Sequence, residues 1–136
     1  MLRFFSRLCA AASLLTAGLV QAAQPATVRV DYSHSGNALS DTYALEQVLI
    51  EPLPWPGDMA RSLDNTNRGQ NRVEVADAKT GDVLYSRDFS TIFGEWRTTE
   101  EANKISRSFQ ESVRFPKPDR PVKVRILKRD ERNAFS

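Results

Sequence analysis

Few side chains in this sequence are equipped for chemistry. Its 136 residues hold one histidine, His34, and one cysteine, Cys9. A catalytic zinc ion draws three protein ligands from His, Cys and carboxylates, and an HExxH motif alone needs two histidines, so no His- or Cys-rich zinc site can form. A Ser-His-Asp arrangement would have to recruit His34, yet no serine stands in a GxSxG elbow. Ser33 to Asn37 reads as a polar loop, in which His34 is expected to be solvated or to bond its own loop. The run Asp64 to Gly69 offers hard oxygen ligands, but Thr66 in the third place and Arg68 in the fifth break the calcium-loop pattern. Glu95, Glu100 and Glu101 read as solvated loop charge rather than as a glycosidase pair. No catalytic, metal-binding or cofactor-binding residue is assigned. What remains is aromatic: Trp55 within Glu51–Gly57 (EPLPWPG), and Phe93 and Trp96 within Ser90–Trp96 (STIFGEW). Off the strand pattern, such residues clamp a loop onto a core or meet a partner, so Trp55, Trp96 and Phe93 are the candidate interface residues.

The first 22 residues read as a signal peptide. Arg3 and Arg7 form a positive start, Leu8 to Val20 an apolar run, and Val20-Gln21-Ala22 a small-residue cleavage site. The run is about 13 residues, short of the roughly 20 that span a bilayer. Cys9 is not placed as a lipoprotein cysteine, since Arg7 and Leu8 stand where small residues are needed. The expectation is an exported chain, periplasmic or extracellular, that is free of the membrane after cleavage. Cleavage would remove Arg3, Arg7 and the cysteine, leaving 17 basic and 17 acidic residues. A neutral mature chain lacks the electrostatic footprint of a nucleic-acid binder. It is long enough for one core, which no disulfide would assist.

The elements that must position the aromatic segments read as β throughout. Thr27 to Tyr32 alternates, with Val28, Val30 and Tyr32 on one face. Tyr43 to Glu51 reads as a second strand, with a ten-residue helix as its rival, and Pro52, Pro54 and Pro56 break any ladder beyond it. Arg72 to Phe89 reads as a hairpin whose turn, Asp77 to Gly81, closes on a left-handed glycine. Phe109–Phe115 and Val122–Leu127 supply two more strands across a proline-rich corner, and Thr98 to Ala102 fits a short helical turn. The expected core is Val28, Val30, Tyr32, Leu49, Val73, Val75, Val83, Tyr85, Phe109, Val113, Phe115, Val124 and Ile126. Five or six short strands imply an all-β fold, a single antiparallel β-sandwich of immunoglobulin-like or jelly-roll-like form. It would occupy residues 23–130, with 131–136 as a tail.

The succession ATVRVDYSHSGN, LEQVLIEPLPWPG, DNTNRGQNRVEV, TGDVLYSRDFSTIFGEW and SFQESVRFPKPDRPVKVRILKRD resembles the N-terminal domain of the IgA-peptidase family of secreted zinc metallopeptidases, metallopeptidase family sixty-four. The similarity runs from about Ala26 to Asp130. The resemblance implies a β-sandwich that precedes a separate catalytic domain bearing an HExxH-type zinc motif, of which no position can be carried onto this sequence. It therefore implies a non-catalytic accessory module (stand-alone, truncated or a fragment), with the peptidase catalytic domain as its partner in cis or in trans. An independent exported binding protein for a peptide, glycan or surface partner is the alternative.

Overall fold

The computed structural model describes residues 23–136; the expected signal peptide lies outside the described residues. Six antiparallel strands form two three-stranded sheets, ordered β2-β1-β5 and β4-β3-β6. They are β1 (Ala26–Gly36), β2 (Asp41–Pro54), β3 (Asn71–Asp77), β4 (Val83–Phe89), β5 (Arg107–Pro116) and β6 (Val122–Lys128). One short helix, α1 (Ile92–Trp96), and 3-10 turns at Met59–Arg61 and Glu101–Asn103 complete the elements. No helix among the described residues is long and apolar enough to cross a membrane. The fold is all-β, as the strand periodicities indicate.

The sheets meet through a shared core of Val28, Val30, Tyr32, Val73, Val75, Tyr85, Val113 and Phe115. These are the inward phases of β1, β3, β4 and β5, because successive strand side chains point to opposite faces. β1 is central and pairs with β2 from Ala26 to Gly36 and with β5 from Thr27 to Gly36. That double pairing carries it beyond Tyr32, through the stretch that reads as a polar loop, to Gly36. Its inward phase therefore continues from Tyr32 to His34.

The hairpin of β3 and β4 is the one expected. Gly81 has φ +83° and its amide donates to the Asp77 carbonyl at 3.0 Å, closing the turn.

β2 departs from the expected core. A register shift between Asp31 and Tyr32 leaves Glu46 as an extra residue, so that Tyr43, Leu45, Val48 and Ile50 stand opposite His34, Tyr32, Val30 and Val28. Leu49, expected inside, pairs with Arg29 on the outer face. The inward row of β2 nevertheless stays open: Leu45 is 69% exposed, Val48 58% and Ile50 55%. Val124 is also exposed, against expectation, because the sandwich does not close between β2 and β6. Val83, Phe109 and Ile126 are half-buried.

Candidate functional site

At one end of β1 the sequence packs its only histidine between rings and carboxylates. Thr91 caps α1 by accepting the Gly94 amide hydrogen on Oγ1 at 2.9 Å. The helix so fixed drives Phe93, which is fully buried, onto the imidazole of His34 at 3.9 Å between ring centroids. Tyr43 of β2 stacks on His34 at 4.1 Å. Nε2 of His34 meets Oδ2 of Asp41 at 2.8 Å, and Nδ1 meets Oε2 of Glu111 at 3.3 Å. A ring protonated at both nitrogens donates to both carboxylates.

Both acids are held below their ordinary range. For Asp41, burial pushes the pKa up, but hydrogen bonds from Lys128 and His34 outweigh it. For Glu111, burial is again opposed by hydrogen bonds, led by that from His34 and joined by the Phe93 amide. The Tyr32 hydroxyl is buried near Glu111 without hydrogen-bond geometry to it, and its pKa is pushed upward, first by burial and then by that negative charge. The Lys128–Asp41 bond joins β6 to β2, tying the two sheets together at this end.

The cluster ties β1 to β2, β5 and α1. A general base needs a free nitrogen within reach of a substrate proton, and both nitrogens of His34 are occupied by carboxylates from β2 and β5. Asp41 and Glu111 lie on different ring nitrogens and do not converge on a common point. No group of three or more His, Cys, Asp or Glu among the described residues is arranged to hold a metal ion. His34 is 2% exposed, which corrects its reading as a solvated loop residue. The signal for this was in the sequence: His34 continues the every-second-residue series Val28, Val30, Tyr32.

The candidate interface aromatics lie at opposite ends of β1. Trp96 packs on Phe93 and Phe109, and its Nε1–H donates to Glu101 Oε2 at 2.7 Å. Trp55 sits edge-on to Tyr85 at 5.7 Å, and its amide donates to the Pro25 carbonyl at 2.7 Å. A Cβ on Gly57 would lie 2.5 Å from the Trp55 Nε1, so the glycine of the Trp-Pro-Gly run gives the indole its room. Phe93 offers no surface at all; Trp55 and Trp96 are half-buried.

An apolar opening lies elsewhere, between β2 and β6. It is a cleft of about 580 Å³, floored by Val28, Val30 and Tyr32 and walled by Leu45 and Val48 on one side and by Val124 on the other. Leu45, Val48 and Val124 leave apolar surface exposed along both walls of this cleft. Strand periodicity could not reveal it, since it depends on which strands the opposite sheet lacks.

A family model described as Peptidase M64 N-terminus matches residues 20–136. No curated protein matches the chain.

Proposed function

Because the chain belongs to the Peptidase M64 N-terminus family, we propose that it is a non-catalytic accessory module of an exported zinc metallopeptidase. In this reading it packs on the peptidase catalytic domain, in cis or in trans, and helps to present substrate. The uncovered apolar row of β2 carries the proposal. Leu45, Val48 and Ile50 lie on the core side of their sheet yet remain more than half exposed. Burying each such side chain stabilises a contact by roughly 1.5–3 kcal/mol, enough for three residues to anchor an interface. Export, to the periplasm or beyond, is part of the proposal and rests on the charge and hydropathy pattern of residues 1–22. Nucleic acid is not expected as a partner, because cleavage would leave 17 basic and 17 acidic residues.

Affinity purification from the native exported fraction tests the module. The wild-type chain is expected to retain the catalytic domain, and the Leu45→Glu/Val48→Glu variant to lose it while melting within a few degrees of wild type. A purified chain that holds stoichiometric zinc, and loses both zinc and peptidase activity on His34→Ala, contradicts the proposal.

A further inference from the structure

The last residues already form the first rungs of a further strand on β6. Beyond β6 the chain turns at Asp130–Asn133, and Lys128 and Ser136 exchange two backbone hydrogen bonds, each 3.0 Å. Arg129 bridges Phe135 in antiparallel sense. The Phe135 ring lies between two guanidinium groups, with Arg129 at 4.1 Å and Arg72 at 4.4 Å from its centroid, which pins the turn in place.

The side of β6 on which this happens follows from strand alternation. The Arg129 amide donates to Gln70, and the Ala78 amide to Pro121, so the odd-numbered residues of β6 face β3. The even-numbered Lys128, Ile126, Val124 and Val122 then turn their backbone groups to the other edge. Ser136 occupies the Lys128 position of that edge. Among the described residues no strand pairs at Ile126, Val124 or Val122, since β6 is the outer strand of its sheet.

We propose that these three positions receive an extended segment of the peptidase catalytic domain, which adds to β6 antiparallel, continues the ladder begun at Ser136 and closes the cleft. This inference rests on the module reading given above and specifies how the contact is made. The chemistry of the segment follows from the register. Residues opposite Ile126, Val124 and Val122 fall on the cleft face, so every second side chain is aliphatic or aromatic. The intervening residues lie beside Arg125 and Lys123 on the outer face. Arg125 is paired with Glu74 at 2.8 Å, whereas Lys123 has no ion pair among the described residues, which favours acidic side chains there. Main-chain bonds supply the affinity and the alternate apolar side chains the specificity, as in other cases of strand addition. An exposed edge is otherwise an aggregation hazard, and here only its outer face carries charge.

The test uses the full chain and two soluble synthetic peptides of one composition. In the first, valine and glutamate alternate; in the second, the valines are grouped together. The alternating peptide is expected to bind at least about tenfold more tightly and to slow amide exchange at Val122, Val124 and Ile126. Val124→Pro removes a donor on the free edge and leaves the β3 ladder intact, so it should abolish that binding with little change in melting temperature. Equal binding of the two peptides, or binding without protection of the three amides, overturns strand addition. So does a concentration-dependent dimer that protects the same amides without peptide, which would give the edge to a second copy. If the alternating peptide binds as expected but no catalytic domain is retained from the exported fraction, the module reading fails and the strand-accepting edge stands.

Discussion

Two carboxylates and two aromatic rings converge on His34, and together they decide how this end of the molecule responds to acid. Asp41 and Glu111 have folded-state pKa values below their unfolded ones, so their stabilisation is present above the unfolded range and is lost as pH falls through the folded values. Unfolding free energy is therefore expected to hold from pH 7 to about 5 and to drop below about pH 4. Removing the imidazole takes one hydrogen-bond partner from each buried acid, although Asp41 keeps Lys128 and Arg97, and it empties the space between Tyr43 and Phe93, so His34→Ala should cost about 2–4 kcal/mol at pH 7 and flatten the acid limb. Urea titrations across pH check both, and a loss under about 1 kcal/mol would show the cluster to be dispensable. None of this was legible from residue types, because a single histidine between serines reads as loop. Only the strand phase, carried two residues past Tyr32, points to its burial. The aromatic signatures were legible as anchors, while their separation to the two ends of β1 was not, since no local pattern fixes where a loop lands.

In the secondary-structure elements, the hairpin of β3 and β4 shows what local sequence can specify. The turn Asp77–Gly81 needs φ > 0 at its last residue, and Gly81 has +83° there, with no atom within 4 Å of where a Cβ would stand. The cost of substitution is then purely one of backbone conformation. Gly81→Val should destabilise by about 1–2 kcal/mol and Gly81→Asn by clearly less, because asparagine tolerates the left-handed region. Equal melting temperatures for the two variants would contradict the turn. β2 shows the limit of such reading. A strand was the favoured reading there, with a ten-residue helix as its rival, but the extra residue at Glu46 changes the inward phase, so Leu49 falls on the outer phase and Val48 and Ile50 on the inner one. A bulge is fixed by the partner strand and leaves no mark on the sequence of β2 itself.

For the molecule as a whole, two three-stranded sheets close on one side, around Tyr85 and Phe115, and gape on the other, between β2 and β6. On the closed side Tyr85 packs against Phe115; on the open side Lys128 and Asp41 tie β6 to β2 at the His34 end, while Leu45, Val48 and Val124 stay exposed. Amide hydrogen exchange of the chain, alone and mixed with the peptidase catalytic domain proposed as its partner, tests that assignment residue by residue. New protection is expected at Val122, Val124 and Ile126, with the amides around Trp55 and Trp96 unchanged. Protection confined to α1 and the Trp96 end, with the β6 amides exchanging as in the free chain, would contradict it.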